Sequence, residues 1–264
     1  MKRLLLGVLL TLLFGCSGDQ EKSQSESDNS ESKFDGWKTY IYQNIKIRYL
    51  PGHPLEDSFD DISQTYVTIR RRSCHFLHIP IPDDTLRIIF YTGWGQGREM
   101  TGHKYPFATK EKIHFWLPSF YGTTLMQYLI PRWEPKEPKH IFLKHGLIAL
   151  LDFSGQNYHL STVRHIRDSS FIPLAKLAID STIDSDTERL QSAMSASFVD
   201  FVVYSYGINT LDSLYTSQRS FNEEVHTFFG ISVDSLQKEW LEVAEEAAKL
   251  DTANYRKYIL EKEG

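Results

Sequence analysis

Residues 142–151, FLKHGLIALL, are the stretch that bears most directly on chemistry, because Lys144 and His145 interrupt an apolar helical run. A helix that served only the core would carry neither a charge nor an imidazole there. Imidazole is the commonest metal ligand among side chains, and it titrates near neutral pH. The stretch therefore raises the question of whether His145 binds a metal ion.

A catalytic zinc site needs about three protein ligands and one open position for water, so His145 would need partners. His140 lies five residues before it, about 140° around a helix, and the two imidazoles do not share a face. The other candidates, His114, His159 and His165, are distant in sequence. Only the fold could bring them to His145.

The preceding helical stretch, GTTLMQYLI, carries Thr123, Thr124 and Gln127. Threonine hydroxyls and a glutamine amide are poor zinc ligands, and none of them is a base near neutral pH. We expect His145 to form a hydrogen bond with Gln127 or one of the threonines, in a cleft without metal or other cofactor. The alternative is a remodelled metal site that joins His145 to the distant histidines.

Nucleophilic catalysis has little support in the sequence. Cys74 and His75 are neighbours in RRRSCHFL near the end of a predicted helix, and the chain has no Gly-x-Ser-x-Gly motif. The arginines at 70–72 are the one local basic cluster, which we interpret as a solvated helix face. A net charge of −5 without a basic face argues against nucleic-acid binding.

The elements that would position these residues predict an α+β fold, with a small, mostly antiparallel sheet packed against a helical block. Alternation on each side of Gln43-Asn44 predicts a hairpin, and DTLRIIFYTG and EKIHFWLP predict two further strands. Apolar spacing predicts a helix over 55–77, and we expect a glycine-rich loop over 92–107.

Most of the remaining chain has helical patterns. We expect one helix to end at Pro131, one at Ser154-Gly155 and one at Gly207. A capping box at Ser220-x-x-Glu223 predicts a helix that stops at Gly230, followed by an amphipathic helix.

Four pieces of the chain, in this order, resemble the gluzincin metallopeptidases of the peptidase MA-like group. These pieces are IKIRYLPG, FLKHGLIALL, SASFVDFVVYSYGINTLDSLY and FFGISVDSLQKEWLE. In that group a strand leads into a long helix, two strands follow, and the next helix carries His-Glu-x-x-His. The helix after it supplies a third ligand. The resemblance implies a gluzincin-like fold over most of the chain.

The same resemblance implies that the zinc site is degenerate. Thr123 and Thr124 take the places of His-Glu, Gln127 takes the place of the second histidine, and His145 stands where the third ligand would be. The separation of His145 from Gln127 (145 − 127 = 18) is of the size that the family uses. The chain has no His-Glu-x-x-His elsewhere, so we expect no zinc-dependent hydrolysis and interpret the domain as a pseudopeptidase.

The N-terminus predicts a lipid anchor. Lys2 and Arg3 precede an apolar run that ends in Leu13-Phe14-Gly15-Cys16, which resembles the lipobox of bacterial lipoproteins. We therefore expect a signal peptide over 1–15 and acylation of Cys16, with a polar, flexible tether over 16–33. Ser17 is not the aspartate of the common inner-membrane retention signal, which favours the outer membrane of a bacterial envelope.

Residues 34–264 have the length of one globular domain. Our first hypothesis is an envelope-anchored binding module that takes a peptide, protein or glycan in the cleft of Thr123, Thr124, Gln127 and His145. The second is a metal-dependent hydrolase with a remodelled site that includes His145. The third is a structural envelope component whose cleft has filled in.

Overall fold

The architecture was obtained as a computed structural model, which describes residues 31–117, 119–179 and 188–250. The described residues from Gly36 onward belong to one compact unit. The predicted signal peptide, Cys16 and residues 17–30 of the predicted tether lie outside the described residues. None of the helices in the described part of the chain has the length and apolarity needed to span a membrane.

A five-stranded mixed sheet forms one layer of the fold, with the spatial order β1-β2-β3-β5-β4. Antiparallel pairing joins β1 to β2 and β4 to β5, whereas β2–β3 and β3–β5 are parallel. The strands are β1 (Lys38–Tyr42), β2 (Ile45–Tyr49), β3 (Leu86–Phe90), β4 (Phe107–Ala108) and β5 (Lys112–Phe115).

The α+β class is confirmed, but the expectation of a mostly antiparallel sheet holds for only half of the strand pairs. The hairpin around Gln43 forms as predicted, with Gln43 in the left-handed region at φ 51°. The next strand, β3, runs parallel to β2 because a long helix connects them. Parallel strands need such a crossover connection, and the sequence pattern of a strand does not reveal its direction.

Ten helices are present in the described residues, and helical residues dominate the chain after β5. They are α1 (Phe59–Phe76), α2 (Trp94–Thr101), α3 (Tyr121–Trp133), α4 (Ile141–Leu150), α5 (Tyr158–Arg167), α6 (Leu174–Ile179), α7 (Glu188–Tyr206), α8 (Ile208–Thr216), α9 (Phe221–Phe229) and α10 (Val233–Ala247).

We expected a loop over the glycine-rich segment 92–107, and this expectation is wrong in part. The segment contains α2 and the first residue of β4. Its glycines allow the helix to pack closely. A Cβ at Gly97 would lie 2.5 Å from the ring of Trp116. Gly102 ends the helix in the left-handed conformation at φ 75°. A helix with two internal glycines has low propensity, and the contact with Trp116 offsets this.

Several predicted helix ends are confirmed. Ser220 and Glu223 form the reciprocal capping box of α9, and Gly230 ends that helix at φ 71°. Gly207 ends α7 at φ 85°. In contrast, α3 continues past Pro131 to Trp133. Pro131 lacks the N–H that would donate to the carbonyl of Gln127, and α3 ends two residues after it.

Packing of α4 against α7 is the central contact of the helical block. Gly146 makes this close approach possible, since a Cβ there would lie 2.4 Å from the carbonyl oxygen of Ser195. The rings of Phe142 and Phe198 meet one turn away, with centroids 5.6 Å apart. The side of α4 that carries Phe142 and Gly146 is therefore buried against α7, whereas Lys144 and His145 keep part of their surface exposed.

Candidate functional site

The predicted cleft residues of α3 lie on two different sides of that helix. Thr123 and Gln127 are half-buried and one turn apart, and Gln127 Oε1 accepts a hydrogen bond from the backbone N–H of Ala108 at 3.2 Å. This side of α3 therefore faces the edge strand β4. Gln127 therefore ties a strand to a helix.

Thr124 belongs to the core and not to the cleft. It is fully buried, and its hydroxyl donates to the carbonyl oxygen of Tyr121 at 3.2 Å. It also lies beside Tyr66 of α1. Burial raises the pKa of Tyr66, and the Thr124 hydroxyl acts in the opposite direction. Thr124 is thus a small packing residue between α3 and α1.

His145 is half-buried on α4 and forms no hydrogen bond or ion pair with any residue that the structure describes. The hydrogen bond that we expected between His145 and Gln127 or a threonine does not form in the described residues. The Gln127 oxygen instead accepts a hydrogen bond from the Ala108 N–H. Burial lowers the pKa of His145, and the adjacent Lys144 lowers it further, while Glu137 opposes both effects. The imidazole is consequently favoured in its neutral form.

The other candidate histidines bond to groups away from His145. Among the described ranges, no group of three or more His, Cys, Asp or Glu side chains lies close enough to hold a metal ion. The partners are Tyr91 for His114, Glu224 and two backbone carbonyls for His140, Ser197 and Asp200 for His159, and Ser170 for His165.

His159 lies between a serine and an aspartate, an arrangement that the sequence analysis missed. Its Nδ1 is 2.8 Å from Ser197 Oγ, and its Nε2 is 2.8 Å from Asp200 Oδ2. Ser197 is fully buried, and its oxygen accepts the indole N–H of Trp240 at 2.9 Å. These hydrogen bonds join α5, α7 and α10. Because the Ser197 hydroxyl is inaccessible to a substrate, the three side chains do not act as a catalytic triad. The i, i+3 spacing of Ser197 and Asp200 on α7 was the available signal.

Cys74 is buried and free, and burial raises the pKa of its thiol, with Arg70 opposing. A buried thiol with a raised pKa is a poor nucleophile. Its neighbour His75 is exposed. The position near the end of α1 is as predicted, and the pair does not form a nucleophilic dyad.

The sequence analysis also missed a cavity of about 370 Å³ beside the start of α3. Its size lies at the lower end of the range for small-molecule sites. It is lined by α1 (Gln64, Thr65, Thr68, Ile69, Arg72), by the residues that lead into α3 (Ser119, Phe120, Tyr121) and by the residues after α4 (Asp152, Phe153).

Charged and aromatic groups meet in this cavity. Arg72 is half-buried and forms no hydrogen bond or ion pair with the described part of the chain. Asp152 is 8% exposed, and burial raises its pKa although its oxygens accept hydrogen bonds from the Ser154 N–H and the Tyr158 hydroxyl. Phe153 has φ 58°, which is uncommon for an aromatic residue. The cavity thus combines an unpaired cation with aromatic walls.

Comparison with known protein families finds no family model that matches the chain, and comparison with curated proteins finds no significant match. The resemblance to gluzincins therefore stays a prediction.

Proposed function

We propose that the chain is an envelope lipoprotein, anchored through an acylated Cys16, whose gluzincin-like domain binds a ligand without hydrolysing it. Gln127 is the observation that carries this proposal. At the position of the second zinc ligand in the resembling family, its Oε1 holds the Ala108 N–H of β4 at 3.2 Å. An amide used in this way supports one wall of a cleft but cannot hold an ion that activates water.

The neighbouring positions support the same proposal. Thr124, aligned with the general base of the family, is buried in the core and has no acid–base chemistry near neutral pH. His145, aligned with the third ligand, has no companion ligands, since no group of three or more His, Cys, Asp or Glu side chains lies together in the described residues. The replacements at Thr123 and Gln127 remove two ligands of the family's zinc site, and the replacement at Thr124 removes the base.

We place the ligand in the 370 Å³ cavity beside α3. The guanidinium of Arg72 is suited to a carboxylate, and the rings of Phe120 and Phe153 are suited to an apolar side chain. These two features together favour a short peptide that ends in an apolar residue with a free carboxylate. In this proposal the membrane partner is the bilayer that holds the lipid on Cys16, with the outer membrane favoured by Ser17.

Peptide binding can be tested with the acylated full chain in detergent. We expect an acetylated tripeptide that ends in phenylalanine to bind, and its C-terminal amide to bind about tenfold more weakly, as the loss of one charge-assisted hydrogen bond implies. Arg72→Gln should lower the affinity for the free acid by a similar factor. Arg71→Gln, at an exposed neighbouring arginine, is the matched control and should leave the affinity unchanged.

The same preparation tests the absence of catalysis. Metal analysis should find zinc far below one equivalent per chain, and His145→Ala should not change the metal content. Peptide turnover that a chelator blocks, or stoichiometric zinc that His145→Ala abolishes, would contradict the proposal. Equal affinities for the free acid, the amide and an envelope saccharide would contradict the proposed contact between a ligand carboxylate and Arg72.

A further inference from the structure

An exposed aromatic and basic surface surrounds α2, and we call the side chains of Trp94, Arg98, Lys104 and Tyr105 the α2 face. Trp94 is 47% exposed and Tyr105 is 54% exposed, which is high for large rings. Cations lie over both rings, with the Arg98 guanidinium 5.5 Å from the Trp94 ring and the Lys104 ammonium 5.0 Å from the Tyr105 ring. The face thus presents two rings and two positive charges to solvent.

Two contacts hold α2 and the Trp94 side chain in place. The indole N–H of Trp94 donates to the carbonyl oxygen of Lys104 at 2.9 Å, which joins the start of α2 to the segment after it. Gly97 rests on the buried ring of Trp116. The Trp94 ring is therefore held in its exposed position by a hydrogen bond and by the packing of α2.

A stack of parallel rings continues this support into the sheet. The ring of His103 lies 3.8 Å from that of Phe107, which lies 4.5 Å from that of His114, and Tyr91 follows at 5.9 Å. Tyr91 and His114 are also joined by a 2.8 Å hydrogen bond between the hydroxyl and Nδ1. The inner rings of the stack, Tyr91 and His114, are buried, whereas Trp94 and Tyr105 lie outside the stack and are exposed.

The charge of this region is opposite to that of the whole chain. Residues 92–116 contain four Lys or Arg residues and two Glu residues, a net charge of +2 (4 − 2), whereas the whole chain carries −5. An anionic surface would therefore attract this side of the domain. Tryptophan and tyrosine are the side chains enriched at the level of lipid headgroups.

The point where the chain enters the domain lies next to the same region. Trp37 meets Tyr91 edge to face, with centroids 5.7 Å apart, and Tyr91 meets Trp116 at the same distance. Between Cys16 and Trp37 there are 21 residue steps (37 − 16), which span at most about 70 Å when fully extended. A lipid on Cys16 would keep this end of the domain within about 70 Å of the bilayer.

We propose that the α2 face rests on the anionic phospholipid surface of the membrane that holds the anchor. The rings of Trp94 and Tyr105 enter the headgroup region, and Arg98 and Lys104 contact lipid phosphates. The inference rests on the proposed lipid anchor for proximity only, because the contact itself comes from these four side chains. It orients the domain with its entry point and α2 towards the bilayer.

Tryptophan quenching tests this contact in the acylated full chain, reconstituted in vesicles of phosphatidylglycerol and phosphatidylethanolamine with brominated acyl chains. We expect brominated lipid to quench the tryptophan fluorescence, and Trp94→Phe to lose most of that quenching. Trp133→Phe is the matched control, because Trp133 packs against Tyr215 in the helical block, and this variant should keep the quenching.

Charge dependence supplies the second arm of the experiment. Quenching should fall in phosphatidylcholine vesicles and in the double variant Arg98→Gln/Lys104→Gln. The double variant Lys238→Gln/Lys249→Gln, at exposed lysines outside the α2 face, should behave as the unchanged protein. Sedimentation with the vesicles reports the anchor separately. Quenching that is absent, or that persists in Trp94→Phe, would overturn the contact whether or not the chain sediments, and would leave the face to a protein partner.

Discussion

Gly146 gives a residue-scale reason for the Gly-Leu pair that follows His145. Its Cα lies against the backbone of Ser195, so α4 and α7 approach at a distance that no larger side chain permits. The pair that resembles the third-ligand helix of gluzincins is thus also a packing requirement of this fold. His145 is half-buried on the same helix, and its place in the sequence does not by itself imply a ligand.

Gly146→Ala should destabilise the protein by about 2 kcal/mol, because the added methyl group overpacks the α4–α7 contact. Urea unfolding followed by circular dichroism measures this change. Gly95→Ala in α2 is the matched control, since its Cβ meets no atom within 4 Å. It should be neutral or slightly stabilising. Equal effects of the two variants would show that the close approach of α4 and α7 is not tight.

Arg70 corrects the interpretation of the arginine cluster as a solvated face. It is 2% exposed, and its Nη2 lies 2.8 Å from Asp84 Oδ1 and 2.6 Å from the carbonyl oxygen of Pro82. Asp84 also accepts a hydrogen bond from the Tyr128 hydroxyl at 2.6 Å. The segment before β3 is therefore held between α1 and α3 through one aspartate.

Asp84→Asn should cost about 2 kcal/mol of unfolding free energy, because it removes the charge that compensates a buried guanidinium. Burial opposes ionisation of Asp84, but Tyr128, Arg132 and Arg70 outweigh it and lower its pKa. A lowered pKa gives stability above the pKa of the unfolded state, and this stability is lost as the pH falls through the folded value. Asp83→Asn, at the exposed neighbour, should change neither stability nor its acid dependence.

At the scale of elements, His140 joins three parts of the helical block. It precedes α4, its Nδ1 is 3.1 Å from the Ala178 carbonyl of α6, and its Nε2 is 3.3 Å from the Glu224 carboxylate of α9. The Arg219 carbonyl is also 3.3 Å from Nε2. All of these are acceptors, and only a protonated imidazole donates from both nitrogens. The fold therefore favours a buried imidazolium at this junction.

Stability should decrease in weakly alkaline solution because of His140. Burial lowers its pKa, but Glu224 and the two carbonyls outweigh burial and raise it above its usual value. The contribution is complete below the unfolded pKa of about 6.5 and is lost as the pH rises through the higher folded value. Urea unfolding between about pH 5 and pH 9 measures it. His140→Gln should remove this pH dependence, and His75→Gln, at an exposed histidine, should retain it.

At the scale of the whole molecule, the proposals describe a domain held at a membrane by a lipid and oriented by the α2 face. The cavity beside α3 and the α2 face are separate features, since they share no residue. Ligand binding and membrane contact should therefore be separable by mutation. Arg72→Gln should affect the first, and Trp94→Phe should affect the second.

Cys16→Ser should prevent acylation and move the chain out of the palmitate-labelled membrane fraction. The measurement is metabolic labelling with palmitate, followed by separation of membranes. Cys74→Ser is the control for the second cysteine, and it should keep both the label and the membrane fraction because Cys74 is buried and carries no anchor signal. Label that persists in Cys16→Ser would contradict the lipobox interpretation.

Local pattern by itself determined the α+β class, the hairpin at Gln43 and the capping box of α9. These features depend on neighbouring residues, whose alternation, caps and glycines act within a few positions. It also determined the absence of His-Glu-x-x-His, which is a statement about residue types alone.

Only the tertiary structure decided the parallel pairing of β2, β3 and β5, the partner of Gln127 and the burial of Arg70. It also revealed the cavity beside α3 and the outward rings of Trp94 and Tyr105. These features join residues that are far apart in the chain. Their formation depends on how helices and strands pack, which no local pattern of polar and apolar residues encodes.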